Sequence, residues 1–278
     1  MPISPFLFSS LDEACEALLL TAAALLNGAK VEYVVAGGWV PIILGSPHGS
    51  LEHPGTRDVD ILLVDDNTGP RAAADALLAA GFRPSAKHEF QLLKDARVGG
   101  QLFVFNVDLM HPHESSMRPN MFADILDFGV KDNYDPRGSR YLKSIAFASA
   151  AIVVEQKLFE TAKRYGRDFD GTEISVDVPF LNLAALLLSK CESVRVPKRT
   201  RDAFDIYFAL TGPRGLAAAA ELKVLSVKFP DVRLRIERLR QFLTEEASVF
   251  DGNVAAYLKP TPAPWVSSAQ TVLGILDV

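Results

Sequence analysis

The sequence predicts an α+β fold: a small mixed β-sheet core flanked by helices, followed by a mainly α-helical C-terminal domain. Three observations carry this. Short apolar runs alternate with helical patterns from Ser10 onward, strand-like runs crowd between Phe82 and Met110, and after Pro179 the apolar residues recur at helical spacing. A change of composition past Gly166 places a domain boundary near residue 170, dividing residues 1–170 from 171–278.

Each element has a local reason. Ser10-Leu-Asp-Glu13 reads as a capping box opening a helix that runs to about Asn27, with Gly28 stopping it. Val31–Ala36 reads as a buried strand that leaves through Gly37-Gly38, and Trp39–Leu44 as a short helix closed by Gly45. Ser46–Thr56 has loop composition, and Arg57–Val64 is a second strand, ended by a run of turn residues from Asp65 to Gly69. Pro70 opens an alanine-rich helix to Ala80, with Gly81 just past its end. Phe82–Pro84, His88–Lys94 and Gln101–Met110 are strands, the last two joined near Gly99-Gly100. Tyr141–Ala148 reads as extended, Ala151–Tyr165 as helix and Asp168–Asp177 as a polar connection. Helices are then expected over Phe180–Ser193, Arg201–Leu210, Pro213–Leu222, Val232–Ser248 and Val266–Leu276.

Composition narrows the function classes. A chain of 278 residues with 49% hydrophobic and 23% charged residues matches an ordinary globular protein. A formal net charge of -5 argues against a non-specific nucleic-acid coat protein, while leaving room for a local basic patch. Cys15 and Cys191 follow no metal or redox spacing and sit in apolar helical patterns, so they read as buried thiols in a reducing compartment. The apolar run Ala17–Leu26 lacks a basic lead and is too short to span a bilayer. The expected location is the cytoplasm, with no membrane partner.

The residues that suggest chemistry lie between Val34 and Leu63. Asp58 and Asp60 are two apart on a strand written otherwise in Val, Ile and Leu, so both carboxylates face one side. Like charges at that spacing are expensive unless a cation intervenes. Magnesium, which prefers oxygen ligands and binds through carboxylates and substrate phosphates, removes the cost. Gly37-Gly38 after a strand would let a phosphate approach the backbone. No third glycine completes a dinucleotide fingerprint, and no Gly-Lys-Ser/Thr follows as in a P-loop. Asp108 shares a strand face with Asn106, opposite Phe103, Phe105, Val107 and Leu109. If its strand adjoins that of Asp58 and Asp60, three acids converge, enough to bridge two metals. The blander alternatives are a tight turn at the glycines, acids paired with Arg57 or a lysine, and a solvent-facing Asp108.

Gly37-Gly38, a short helix, Asp58-Val-Asp60 and a later strand aspartate, Asp108, resemble the nucleotidyltransferase superfamily related to DNA polymerase beta. The family's pattern is a hydrophobic residue, Gly-Gly/Ser, then Asp-x-Asp/Glu, with a third acid on a neighbouring strand. Many members place a serine or neighbouring hydroxyl against phosphate where this chain has Gly38 and then Trp39. Further on, Lys190, Arg195, Lys198, Arg201, Asp202 and Asp205 are spaced as in the Lys…Arg-x-x-Lys-x-x-Arg/Lys-Asp-x-x-Asp segment of AbiEii-type enzymes, the toxins of type IV toxin–antitoxin systems. The resemblance covers roughly residues 30–210.

The resemblance implies a metal-dependent enzyme that moves NMP from an NTP to an acceptor hydroxyl on RNA, the tRNA 3′ end being the family's suggestion. Asp58, Asp60 and Asp108 would hold Mg2+ or Mn2+. Gly37, Gly38, Arg57, Lys190, Lys198 and Arg201 would meet the nucleotide, and Asp202 and Asp205 would complete the catalytic set. The helical domain would bring these basic residues to the cleft, and a cognate antitoxin would be a partner. Read without the resemblance, the basic residues from Lys190 to Arg201 suit a triphosphate or an RNA backbone. Asp202 and Asp205, three apart on a helix, can equally pair with them and fix the helix.

Two other functions compete: an aminoglycoside- or lincosamide-modifying nucleotidyltransferase, which Gly-Gly-Trp and Thr-Arg-Asp-x-Asp also resemble, and an inert nucleotide-binding module. His111 and His113 read as loop histidines rather than metal ligands, and His48 and His53 as exposed loop residues, with a place bordering substrate as the alternative. Arg233, Arg235, Arg238 and Arg240 read as a solvated basic face, with an RNA-facing surface as the alternative.

Overall fold

The first helix, α1 (Leu11–Gly28), starts where its cap residues put it in the computed structural model of the chain. That structure describes residues 6–44, 53–64, 69–85, 87–88, 90–112, 125–126, 142–147, 149–258 and 266–277. Ser10 Oγ accepts from the Glu13 amide at 3.1 Å. Glu13 reaches back one residue further than the capping box requires, accepting from the Ser9 amide at 2.8 Å and its hydroxyl at 2.7 Å. Gly28 is the last helical residue rather than the stop, and the left-handed step after the helix falls on Lys30, at φ +55°.

Two compact units partition the chain: Met1–Trp39 with Gly55–Phe180, and Val40–Pro54 with Leu181–Val278. The first holds the sheet. Its strands are β1 (Leu7–Phe8), β2 (Tyr33–Ala36), β3 (Asp58–Leu63), β4 (Arg83–Pro84), β5 (Gln91–Val98), β6 (Gln101–Pro112), β7 (Ile125–Leu126), β8 (Leu142–Lys143), β9 (Ile145–Phe147), β10 (Phe159–Arg167) and β11 (Glu173–Leu181). Helices α2 (Trp39–Leu44), α3 (Gly69–Ala79) and α4 (Ala150–Glu155) intervene, and the unit boundary falls inside α2. The main sheet runs β1-β5-β6-β3-β2-β11-β10, with β4 added on β5 and β9 on β6; β7 and β8 pair with each other.

The sheet is mixed, as expected, and its pairing is what positions the acids. Strand β3 is central, antiparallel to β2 and parallel to β6. β5 and β6 form a hairpin turned by Gly99 and Gly100, both at positive φ (+55° and +85°), the geometry a two-residue loop needs to match strand twist. Val59 and Ile61 of β3 and Phe105, Val107 and Leu109 of β6 are buried, on the side where α1 packs. Phe169 closes this layer: its ring lies 5.4 Å from that of Phe8 and 5.7 Å from that of Phe105, and its amide donates to Thr21 Oγ1 of α1 at 2.8 Å.

The region around residue 165 departs from expectation. The helix predicted over Ala151–Tyr165 stops at Glu155, Lys157 takes φ +52°, and the chain then forms the hairpin β10–β11. Edge strand β10, Glu-Thr-Ala-Lys-Arg-Tyr-Gly-Arg after Phe159, carries charged and small residues on both faces, so no apolar alternation marks it. The polar connection of Asp168–Asp177 is in part strand β11, where Val176, Val178 and Phe180 point inward between exposed Ser175 and Asp177. Pro179 is therefore a strand residue, not a helix opener.

The second unit is helical: α5 (Leu183–Ser193), α6 (Arg201–Thr211), α7 (Gly215–Lys228), α8 (Pro230–Glu245), α9 (Ala247–Ala255) and α10 (Ser268–Leu276). Asn182 caps α5, accepting from Ala185 N at 2.9 Å, while its amide donates to Glu221 of α7 at 3.1 Å. The single helix expected over Val232–Ser248 is two, broken at Glu246. Helix α10 packs on α6, α7, α8 and α9. Both thiols are buried, and burial pushes Cys15 up to about 11 and Cys191 up to about 12. Among the described residues, no helix is long and apolar enough to cross a membrane.

Because Phe169 joins β1, β6 and α1 at a single fully enclosed ring, Phe169→Ala is expected to destabilise the first unit by about 3–5 kcal/mol. Urea denaturation followed by far-UV circular dichroism measures it.

Candidate functional site

Parallel pairing of β3 with β6 sets Asp60 directly opposite Asp108, and Asp58 opposite Asn106. The side-chain alternation of both strands then turns all three acids to one face. One carboxylate oxygen from each of Asp58, Asp60 and Asp108 lies within 4.8 Å of the other two. Asp108 is buried, while Asp58 and Asp60 are half-buried. Among the described residues no other group of acids, histidines or cysteines is so arranged, and none includes a histidine. Three carboxylates offer only hard oxygen donors, which fits a divalent cation such as Mg2+ or Mn2+.

Gly37 makes the cluster sterically feasible. On the strand next to β3, Ala36 pairs with Asp60, and the following Gly37 takes φ +65°. A Cβ at this position would overlap the Asp60 carboxylate, so the glycine leaves room for an acid as well as for the turn. Gly38 and Trp39 behind it are buried, and the Trp39 indole N–H has no hydrogen-bond partner.

Neutral polar side chains contact two of the acids. Thr56 Oγ1 donates to Asp58 Oδ1. Asn106 Nδ2 donates to Asp108 Oδ1 at 2.6 Å, and Gln91 Nε2 to Asp108 Oδ2 at 3.2 Å. Burial pushes the Asp108 carboxyl up to about 6; the two amide hydrogen bonds pull against this, and the charge of Asp58 adds to it. Arg57, expected near the nucleotide, is exposed at the start of β3.

Lys190, Asp202 and Asp205 belong to the second unit and form a buried network there. Lys190 Nζ on α5 donates to Asp202 Oδ1 on α6 and lies 2.9 Å from Asp205 Oδ2. Arg201 Nε stands 3.6 Å from Asp205 Oδ1, and His53 Nε2 3.1 Å from the same oxygen. Burial alone would raise the Asp205 pKa, but Lys190, His53 and Arg201 together hold it well below the usual carboxylate range. Burial likewise works against the Lys190 charge, and the two aspartates more than offset it, raising its pKa. The acids thus pair chiefly with Lys190, on the neighbouring helix, more than with the arginines alone.

His53 lies in a loop, as read from the sequence, but its side chain is buried rather than exposed, with its ring 5.8 Å from that of Phe204 and 5.5 Å from that of Phe208. A histidine flanked by prolines and glycines carries no periodic signal, which is why sequence reasoning missed it. His111 Nδ1 contacts Ser144 Oγ at 2.8 Å. His48 and His113 lie outside the described residues.

The remaining basic residues divide. Arg195, Lys198 and Arg199 are exposed between α5 and α6. On α8, Arg235 and Arg238 reach Glu192 at 3.2 and 3.0 Å, Arg240 meets Asp277 at 3.0 Å, and Arg233 approaches Glu237 at 3.9 Å. That helix face is committed largely to ion pairs within its own unit.

Two predictions follow from these environments. A carboxyl whose folded pKa exceeds its unfolded one binds its proton more tightly when folded. Its contribution is complete below an unfolded value of about 4 and lost as pH rises through about 6. Metal-free wild type should therefore lose stability between pH 4 and pH 7, on the order of 3 kcal/mol from this group. Asp108→Asn should flatten that slope and melt higher than wild type at pH 8 in EDTA, as read by thermal denaturation. Lys190→Ala strands two buried carboxylates and should cost about 3–5 kcal/mol, measured by urea denaturation at pH 7.5.

No protein-family model matches this chain, and no curated protein matches it. What stands is a mixed α/β architecture with a three-aspartate cluster able to hold a metal ion.

Proposed function

We propose that the chain is a metal-dependent nucleotidyltransferase, moving NMP from an NTP to an acceptor hydroxyl with release of pyrophosphate. The observation that carries this reading is the convergence of Asp58, Asp60 and Asp108 from two parallel strands beside Gly37. A divalent cation bound there would neutralise charge on the triphosphate and steady the leaving pyrophosphate.

The chain's own residues account for the rest. Asp58 and Asp60, half-buried and open to solvent, are placed to hold the cation with the nucleotide. Asp108, whose basicity burial raises, lies beside them to take the acceptor's proton as its oxygen attacks the α-phosphorus. The bond from that phosphorus to the bridging oxygen breaks, and the electron pair leaves with pyrophosphate. Catalysis of this type is positioning and electrostatics, with no covalent enzyme intermediate.

For the acceptor we favour RNA, the tRNA 3′ end in particular, and a toxin role with a cognate antitoxin. Exposed Arg195, Lys198 and Arg199, on a chain of formal net charge -5, support an acceptor with a phosphate backbone over a small antibiotic. Lys190 keeps a structural assignment in this reading, because its ammonium is already engaged by Asp202 and Asp205.

Incubation with each α-labelled NTP, Mg2+ and total tRNA tests the reading. Wild type should transfer label to RNA, and Asp58→Ala and Asp60→Ala should fall to background. Absence of transfer by wild type to RNA, protein or aminoglycoside acceptors, or full transfer by either variant, overturns it.

A further inference from the structure

We propose that Thr56, Asn106 and Gln91 are positioning residues that hold the aspartate cluster ready for a divalent cation before the cation arrives. The inference rests on the metal reading above and goes beyond it by assigning residues outside the acids. Three carboxylates whose oxygens lie within 4.8 Å of one another repel, and each could relieve the repulsion by rotating about its χ angles. Neutral donors hold Asp58 and Asp108 against this.

A similar arrangement occurs on β6 and at the entry to β3. Thr56 stands two residues before Asp58, and Asn106 two before Asp108, and each donates to the Oδ1 of its own acid. On β6 a spacing of two puts Asn106 and Asp108 on the same side of extended backbone, while Thr56 reaches Asp58 from the loop just ahead of β3, so each donor is supplied locally. Register brings the pairs together, since Asn106 is the cross-strand partner of Asp58. The residue that donates to Asp108 is therefore also the cross-strand neighbour of Asp58. Gln91, the cross-strand partner of Asp108 on β5, takes the second oxygen of that acid. Asp60 fills the space that Gly37 leaves open.

Each donor is neutral, so it fixes an acid without competing for it as a lysine or arginine would. A carboxylate oxygen that accepts one of these hydrogen bonds keeps a second lone pair for a metal. Thr56 is buried, and its hydroxyl is not a surface group spending its hydrogen bond on water. Residues that orient ligands in this way set metal affinity, and their loss costs about 10- to 100-fold.

Titration with Mn2+ alone, following free Mn2+ by electron paramagnetic resonance, reads the effect without any turnover. Thr56→Val and Asn106→Leu keep side-chain size and remove the donor; each should weaken Mn2+ binding by about tenfold or more. Thr56→Ser restores the hydroxyl and should bind as wild type does. Melting of the metal-free proteins checks folding, and Gln91→Leu replaces Asn106→Leu should the latter fail to fold. If wild type binds Mn2+ and the donor-less variants bind it equally well, the positioning role is overturned and the metal centre stands. If wild type binds no Mn2+, the metal centre itself fails and this role fails with it.

Discussion

Everything distinctive about the first unit depends on one pairing, the parallel register that sets Asp60 opposite Asp108. A slip of one residue between β3 and β6 would send Asp108 into the layer of Phe105, Val107 and Leu109 and bring an apolar side chain to the cluster. The register is held from the other face. Val59 and Ile61 are fully buried beside Val107 and Leu109 under α1, and exposing either row would forfeit several fully buried side chains. The hydrophobic core thus pins the polar constellation, and the acids are carried on its back. The same logic explains their tolerance: an ionised group as enclosed as Asp108 is unfavourable, and the covered apolar face compensates for it.

The two units manage buried charge differently. In the first, like charges are kept together, and neutral side chains donate to Asp58 and Asp108. In the second, two aspartates meet a lysine, an arginine and a histidine, and the local balance closes within the unit. Joined by an ion pair and surrounded by Phe204, Phe208 and the cap of Asn182 on α5, helices α5 and α6 have a fixed geometry with no ligand needed.

How much of this could be read in the residues follows from where signals are local. Helix α1, helix α2 and strand β3 are legible because a cap, a glycine pair and an Asp-x-Asp each act within a few positions. The face shared by Asn106 and Asp108 is legible for the same reason, while the adjacency of β6 to β3 is not, since pairing of distant strands leaves no local mark. Strand β10 was hidden by its place at the sheet edge, where both faces accept polar residues and alternation fades. Strand β11 did alternate, in Val176, Val178 and Phe180, but Pro179 reads first as a helix start. The donors Thr56 and Asn106 were in view throughout; what gives them meaning is the register that puts one beside the other's acid.

The pairing of His53 with Asp205 has a consequence for the chain as an object that can be cut. These residues are separated by 152 positions yet lie in the same unit, because the stretch Val40–Pro54 leaves the first unit and returns to it before β3 begins. No single scission separates the two units. Severing the chain between Phe180 and Leu181 would strip the imidazole of its carboxylate and leave the segment from Val40 to Pro54 without its own core. The units are interleaved in sequence, so they have to be inherited, shuffled or expressed as a pair, and the second can complete its fold only after the whole of the first has been made.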